Sequence, residues 1–250
     1  MKRRSLGQHL LIDDHLLNKM VEFAKVSKND IVFEFGAGTG NLTEILCNKA
    51  KTVISWEIDK ELYEKAKSRL SRFKNLNLIH GDALESRHKF NKLVSNIPYS
   101  KSKEFIEWLI KKDFDIAVVN FQKEFAEKLL SQPGSNDYRA VTVIARSSFD
   151  IEPLIEVNRE AFKPRPKVTS LMILLKPKKD RINASIIKCI KILFSFRGKK
   201  VFKALKMICK KQGKDYEKIL YRLDYGILQK RVEQLTVEES VRIGKELCNL

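Results

Sequence analysis

The sequence predicts an α/β protein, in which a Rossmann-like, mostly parallel sheet is followed by a smaller all-helical domain. Short apolar runs alternate with helical patterns along the first two thirds of the chain, the order expected of a doubly wound sheet. A glycine-rich turn at 36–40 follows the first buried run, as it does where such sheets bind ligands. Beyond Pro177 only helical patterns remain. We therefore predict two domains, residues 1–176 and 177–250.

The elements follow from the spacing of apolar side chains. Apolar runs predict strands at 30–35, 52–56, 76–79, 93–95 and 115–121, and two late, pairing strands at 141–149 and 168–175. Three-to-four spacing predicts helices at 16–24, 42–46, from 60 to about 70, and at 105–110, 122–130, 186–196, 201–208 and 236–247. Asp13 or Asp14 can cap the first helix, and Thr236 with Glu239 forms a capping box that opens the last.

The charge distribution predicts a polyanionic partner. The chain carries 49 Lys and Arg residues against 31 Asp and Glu, a net charge of +18, and +14 of this lies between Lys176 and Arg231. Nucleic acid is the first candidate, and an anionic membrane surface is the second. The residues expected to contact nucleic-acid phosphates are Arg197, Lys199, Lys200 and Lys203. The alternative is a lysine-rich helix face that is merely solvated.

Neither a metal site nor a membrane span is predicted. The four cysteines and four histidines show no ligand spacing, which argues against structural zinc and suits reduced thiols. The basic start, residues 1–4, precedes an apolar stretch that is too short for a signal peptide. No apolar run approaches the roughly twenty residues that a bilayer requires. We expect a cytoplasmic protein that acts as a monomer and needs no metal.

The stretch at 96–99 is suited to a primary amine on a flat ring. The Asn96 side-chain oxygen and the Ile97 carbonyl can each accept a hydrogen bond from an exocyclic NH₂ group. Tyr99 offers a ring face for stacking, and Pro98 restricts the backbone that aims the Ile97 carbonyl. An ordinary Asn-x-Pro turn after a strand is the alternative interpretation. If 93–95 is a buried parallel strand, these groups lie in the crevice beyond its carboxyl end.

Three carboxylates beside the ends of successive predicted strands favour a nucleoside cofactor. Glu34 precedes the glycine turn, and Glu57 follows the second strand, where it can accept hydrogen bonds from both ribose hydroxyls. Asp82 can accept a hydrogen bond from an adenine amine. A dinucleotide site would need a glycine or alanine where this chain has Asn41, and Glu34 would repel a pyrophosphate. S-adenosylmethionine carries no phosphate, and its sulfonium tolerates nearby carboxylates. We therefore predict S-adenosylmethionine as the cofactor of a methyltransferase sheet.

Eight short motifs occur in a fixed order along nearly the whole chain. They lie at 7–11 (GQHLL), 34–43 (EFGAGTGNLT), 57–59 (EID), 81–83 (GDA), 96–99 (NIPY), 122–124 (QKE), 133–135 (PGS) and 162–170 (FKPRPKVTS). In this order they resemble the ribosomal RNA adenine dimethyltransferases, specifically the KsgA-type small-subunit dimethyladenosine transferases. The chain departs from the family pattern at Leu10, at 138–140 and at Gly198, which replaces an arginine of the C-terminal domain.

The resemblance implies roles for particular residues. It places the methyl donor on His9, Leu11, Gly36, Gly38, Glu57, Ile58, Asp82, Ala83 and Asn96. It makes 96–99 the catalytic stretch, with Asn96 and Tyr99 also handling the target base. The implied activity is N6-dimethylation of two adjacent adenosines, in a loop near the 3′ end of small-subunit rRNA within an immature subunit.

Two other functions stay open at this point. One is methylation of large-subunit rRNA that confers antibiotic resistance, since that family shares the cofactor motifs. The other is a non-enzymatic assembly factor that keeps the fold and binds RNA. The motif at 162–170 and the helical tail favour the small subunit, and intact Asn96 and Glu57 argue against lost catalysis.

Overall fold

The computed structural model describes residues 9–249 and divides into two compact units. The first unit comprises the chain up to Ala126 together with Asp150–Pro177, and the second comprises Glu127–Phe149 together with the chain from Lys178 onward. Pro177, near which the sequence predicts the domain boundary, ends the first unit, whereas 127–149 groups with the C-terminal helices. The basic start and Gly7 and Gln8 of the first motif lie outside the described residues.

The first unit is built on a seven-stranded, mostly parallel sheet, which confirms the predicted fold class. The strands are β1 (Leu10–Leu11), β2 (Ile31–Phe35), β3 (Thr52–Glu57), β4 (Leu76–His80), β5 (Lys92–Asn96), β6 (Ile116–Gln122), β7 (Phe149–Val157), β8 (Phe162–Lys163) and β9 (Ser170–Pro177). The order in the large sheet is β4-β3-β2-β5-β6-β9-β7. The first five strands in this order, from β4 to β6, run parallel to one another. Strand β9 runs antiparallel to β6.

The central strand β2 shows why the sheet is parallel and covered on both faces. Four consecutive residues, from Val32 to Phe35, are buried, so its side chains do not alternate between core and solvent. The chain passes from β2 outward to β3 and β4 and then returns to β5 on the other side of β2. A crevice therefore opens between the carboxyl ends of β2 and β5, where strand order reverses.

The helices of the first part of the chain lie where apolar spacing predicts them. They are α1 (Asp14–Phe23), α2 (Asn41–Lys49), α3 (Lys60–Arg69), α4 (Ser102–Leu109) and α5 (Lys123–Leu130). Asp13 caps α1 by accepting a hydrogen bond from the Leu16 backbone N–H at 3.0 Å. Helix α1 then buries one apolar face through Leu17, Met20 and Val21.

The second unit is helical. Its helices are α6 (Ala140–Ser148), α7 (Ala184–Phe194), α8 (Val201–Gln212), α9 (Tyr216–Leu220), α10 (Tyr225–Gln229) and α11 (Val237–Cys248). The predicted capping box of α11 is confirmed, because Glu239 N–H donates to Thr236 Oγ1 at 3.1 Å and Thr236 N–H donates to Glu239 Oε2 at 2.9 Å. No helix within residues 9–249 has the length and apolar content that crossing a membrane requires.

The predicted strand at 141–149 is wrong. Residues Ala140–Ser148 form helix α6, and the strand beside β9 is β7, which starts at Phe149. The β-branched residues of this run favour a strand by propensity. However, Val143, Ile144 and Ala145 are buried together on a helix that packs against α7 and α11, so tertiary packing overrides propensity.

A two-residue strand pair, not predicted from the sequence, holds the start of the described chain at the sheet. Strand β1 pairs antiparallel with β8, with Leu10 opposite Lys163 and Leu11 opposite Phe162. Next to this pair, His9 Nδ1 lies 2.7 Å from the Pro164 carbonyl oxygen. Residues 9–11 are thereby fixed against the motif at 162–170, about 150 residues later in the sequence.

Candidate active site

The predicted site residues of the first unit line two adjoining pockets at the carboxyl ends of the parallel strands. One pocket contains His9, Leu11, Gly36, Gly38, Glu34, Glu57 and the stretch Asn96, Ile97, Pro98 and Tyr99. The other contains Ile58, Asp82, Ala83, Trp56 and Lys101. Gly36 and Pro98 line both pockets. A single elongated ligand can therefore contact both groups.

The backbone of the glycine turn forms a hydrogen bond with the Glu57 side chain. Gly38 has φ +59°, and a Cβ there would lie 2.7 Å from Leu10 Cδ2, so only glycine fits comfortably. Its N–H donates to Glu57 Oε2 at 2.8 Å, while Asp59 N–H donates to Glu57 Oε1 at 2.9 Å. Glu57 is 3% exposed, and burial raises the pKa of its carboxyl. The backbone thus holds both carboxylate oxygens at fixed positions on the pocket wall.

Glu34 is a second carboxyl group at this pocket, and it is almost completely buried. The hydroxyls of Thr43 and Ser55 both donate to Glu34 Oε2 at 2.6 Å. Burial dominates over these two hydrogen bonds and raises the pKa of Glu34 to about 7, with a further contribution from Glu57. Near neutral pH this side chain is therefore divided between its protonated and ionised forms.

The raised pKa of Glu34 predicts a loss of stability with rising pH. Between pH 4.5 and about 7 the folded state holds a proton on Glu34 that the unfolded state releases, so the free energy of unfolding falls as pH rises. We expect Glu34→Gln to match wild type at pH 4.5 and to exceed it by about 3 kcal/mol at pH 8. Urea unfolding of both proteins across this range measures the difference. A difference in the free energy of unfolding that does not change with pH would contradict the raised pKa of Glu34.

The Asn96 side-chain amide is held on both sides. Its Nδ2 donates to the His9 carbonyl oxygen at 2.8 Å, and its Oδ1 accepts from Asn120 Nδ2 at 2.9 Å. Asn96 ends β5 in direct register with Asn120 on β6. An amide oxygen carries two lone pairs, so Asn96 Oδ1 keeps an acceptor position after bonding Asn120.

A second acceptor and an aromatic ring follow at once in the chain. The Ile97 side chain is buried, and its backbone carbonyl oxygen is a second hydrogen-bond acceptor directly after Asn96. The Tyr99 hydroxyl lies 2.6 Å from Ser170 Oγ, which anchors the ring at its far end. The His9 and Tyr99 ring centroids are 5.5 Å apart with planes inclined by 31°. Two acceptors beside an anchored ring are groups that can hold a flat base bearing an amine.

The adjoining pocket offers one carboxylate and one ammonium group. Asp82 Oδ1 accepts from Leu84 N–H at 2.9 Å, and its Oδ2 lies 3.9 Å from Lys101 Nζ. Lys101 also bonds Glu104 at 3.0 Å, and this bond raises the pKa of Lys101. Trp56 lines the pocket wall. The pocket thus combines an apolar wall with an oriented acceptor, as a purine requires.

Some residues at the site were not predicted from the sequence. Asn120 and Ser170 bond the pocket residues Asn96 and Tyr99. Lys101 lines the second pocket and Asn41 lines the first. Asn120 did carry a signal, because it is a polar residue in the otherwise apolar run at 117–121. Ser170 ends the motif at 162–170, but its contact with Tyr99, like the place of Lys101 at the second pocket, depends on the tertiary structure.

A family model for ribosomal RNA adenine dimethylases matches residues 1–248. The chain belongs to the ribosomal RNA adenine dimethylase family. This dimethylase is 39% identical to a probable ribosomal RNA small subunit methyltransferase A of Pyrococcus abyssi over 249 residues, which cover 97% of this chain and 90% of that protein. A protein of the same name from Methanopyrus kandleri is 36% identical over 252 residues, which cover 97% of this chain and 91% of that protein.

Solved structures agree with the family assignment. The crystal structure of a dimethyladenosine transferase from Plasmodium falciparum matches the dimethylase with a TM-score of 0.84 and 30% identity, covering 96% of this chain and 98% of that one. The 23S rRNA methyltransferase ErmE shares the fold, with a TM-score of 0.67 and 24% identity over 95% and 99% of the two chains. The chain therefore has the fold and the family of an rRNA adenine dimethyltransferase.

The four predicted RNA contacts lie in the second unit of the dimethylase and differ in their surroundings. Lys199, Lys200 and Lys203 are exposed. Lys200 Nζ bonds Gln229 Oε1 at 3.1 Å, and Lys203 Nζ lies 5.9 Å from the centroid of the Phe202 ring. Arg197 is partly buried and pairs with Glu233 at 3.0 Å. The lysines are therefore better placed than Arg197 to meet phosphates.

No metal-binding cluster is found in the part of the chain that the structure describes, since no group of three His, Cys, Asp or Glu side chains is placed to hold an ion.

Proposed function

We propose that the protein uses S-adenosylmethionine to dimethylate N6 of adenosines in small-subunit rRNA, as a monomer in the cytoplasm, on an immature subunit. The proposed targets are two adjacent adenosines in a loop near the 3′ end. The observation that carries this proposal is the pair of acceptors, Asn96 Oδ1 and the Ile97 carbonyl, beside the anchored ring of Tyr99. The small-subunit relatives at 36% and 39% identity support the choice of rRNA.

The lining of the first pocket supports S-adenosylmethionine rather than a dinucleotide. It contains two carboxyl groups, Glu34 and Glu57, and no lysine or arginine among its described lining residues. Such a lining disfavours a pyrophosphate and tolerates a cation. When bound, S-adenosylmethionine supplies an electrophilic methyl group on a sulfonium. Glu57 would hold the ribose hydroxyls, Asp82 the adenine amine, and Ile58 and Ala83 the faces of the adenine ring.

The remaining residues would act on the target amine. The lone pair of an adenine amine is delocalised into the ring, so the nitrogen is a poor nucleophile. Hydrogen bonds from its N–H groups to Asn96 Oδ1 and the Ile97 carbonyl, two in the first transfer and one in the second, favour a pyramidal nitrogen with a usable lone pair. The displaced N–H proton leaves to solvent after each methyl transfer. Tyr99 would stack on the base, which must be unpaired or flipped out to enter. Positioning then contributes most of the rate.

The exposed lysines of α8 and of the turn before it predict salt-dependent RNA binding. Removing Lys199, Lys200 and Lys203 together, as glutamines, should lower RNA affinity and flatten the dependence of log K on log salt by about two to three units. Filter binding or fluorescence anisotropy from 50 to 300 mM salt measures both. Replacement of Lys60, Lys65 and Lys67 on α3 by glutamine, which removes the same charge, is the matched control. Equal slopes for the two triple variants would contradict the assignment.

The proposed substrate is tested by methyl transfer to ribosomal particles. Particles are prepared from cells that lack the protein, and labelled S-adenosylmethionine is supplied with purified small or large subunits. We expect two methyl groups on each of two adjacent adenosines of the small-subunit RNA and none on the large subunit. Transfer to the large subunit would favour the resistance-type activity. Absence of transfer with intact RNA binding would leave only an assembly role.

A further inference from the structure

Asn120 is a buried amide at a place where the sheet would otherwise be apolar. It lies on β6 between Val119 and Phe121, both fully buried, and Asn120 itself is 0% exposed. Its partners in register are Asn96 on β5 and Met172 on β9. Its Nδ2 donates to Asn96 Oδ1 at 2.9 Å. Its own Oδ1 has no hydrogen-bond partner within residues 9–249.

A residue serving only the core would not be an asparagine here. Burying an amide oxygen without a donor costs stability, and an apolar side chain of similar size would avoid that cost. The Asn120 NH₂ group directs its hydrogen bond at Asn96. The cost is therefore explained if the contact with Asn96 serves the reaction rather than the fold.

The orientation of the Asn96 amide explains why a donor is needed on β6. The His9 carbonyl can only accept a hydrogen bond, so the end of the Asn96 amide facing it must be the NH₂ group. The oxygen of Asn96 consequently faces β6. A second acceptor or an apolar group at position 120 would leave that oxygen unsupported, whereas the NH₂ group of Asn120 bonds it directly.

We infer that Asn120 is a positioning residue, which fixes the Asn96 amide so that its second acceptor position faces the target amine. Asn120 does not touch the donor or the base and acts only through Asn96. This inference rests on the proposed role of Asn96. Together, the His9 carbonyl and Asn120 hold the amide at both ends before substrate arrives, which lowers the reorganisation required in the transition state.

Asn120→Leu tests the inference, because leucine has a similar volume and suits the apolar surroundings but donates no hydrogen bond. We expect a melting temperature equal to or above that of wild type, KM for S-adenosylmethionine within twofold, and kcat lowered roughly tenfold. Asn120→Asp, which places an acceptor against Asn96 Oδ1, should lower kcat at least as far. Met172→Leu is the matched control for packing at the same register position and should keep wild-type kcat.

Wild-type kcat in a folded Asn120→Leu protein would overturn the inference, as would an equal loss in Met172→Leu. If the leucine variant does not fold, Asn120→Val carries the same expectation, since valine suits a buried strand. Asn96→Ala is measured alongside. Activity in Asn96→Ala would overturn the proposed site itself, whereas an inactive Asn96→Ala with a fully active Asn120→Leu would overturn only the role of Asn120.

Discussion

Replacing Asn96 by alanine is expected to lower kcat for methyl transfer by about 100-fold or more while leaving the fold and RNA affinity intact. The change removes an acceptor that the target amine would use mainly in the transition state. It also removes the bonds of the amide to the His9 carbonyl and Asn120. The affinity for RNA should stay within twofold, because the proposed phosphate contacts at Lys199, Lys200 and Lys203 do not involve Asn96.

Single-turnover transfer of labelled methyl groups to small subunits measures this effect, and thermal unfolding checks the fold. Asn77→Ala is a matched control, since Asn77 is an exposed residue on the edge strand β4 and lies away from both pockets. It should retain wild-type turnover. Turnover near the wild-type rate in Asn96→Ala would show that the reacting amine is not held by this amide.

Replacing Glu57 by glutamine is expected to weaken binding of S-adenosylmethionine by about 100-fold. The glutamate accepts a backbone N–H on each carboxylate oxygen, from Gly38 and from Asp59. A glutamine has a single oxygen, so one of these two N–H groups loses its acceptor and faces an NH₂ group instead. The charge that would hold the ribose hydroxyls is lost as well, and hydrogen bonds to charged groups are the stronger ones.

Isothermal calorimetry with S-adenosylmethionine and its demethylated product measures the affinity without turnover. RNA affinity should not change, which separates a local loss of donor binding from general misfolding. Glu64→Gln on the exposed face of α3 is the matched control. Unchanged donor affinity in Glu57→Gln would place the ribose elsewhere and remove the main support for the pocket assignment.

Much of the candidate site could be predicted from local sequence because each chemistry-bearing residue lies at, or just after, the end of a parallel strand. Glu57 ends β3, Asp82 follows β4 and Asn96 ends β5. Parallel strands bring their carboxyl ends to one edge, so residues placed after successive strands converge there whatever their distance in sequence. The helix at 140–148 was missed for the opposite reason, since its β-branched residues are helical only through contacts with α7 and α11.

The environment of each group could not be predicted in the same way. Glu34 was expected as a charged group near the cofactor, yet its burial between Thr43 and Ser55 raises its pKa to about 7. Burial depends on what covers a residue, and the covering residues here come from α2 and β3. Likewise, the sequence does not distinguish Arg197 from its lysine neighbours, whereas the structure shows that Arg197 forms an ion pair with Glu233.

The sequence by itself determined the alternation of strands β2–β6 with helices α1–α5, the glycine turn and the amide, carboxylate and aromatic groups that the site would contain. These are local properties, set by hydrophobic periodicity and by the turn chemistry of glycine and proline. Only the tertiary structure decided how those groups are held: the β1–β8 pair, the bond from Asn96 to the His9 carbonyl and the bond from Asn120 to Asn96. Each joins segments that are distant in the sequence, and such contacts exist only once the sheet has formed.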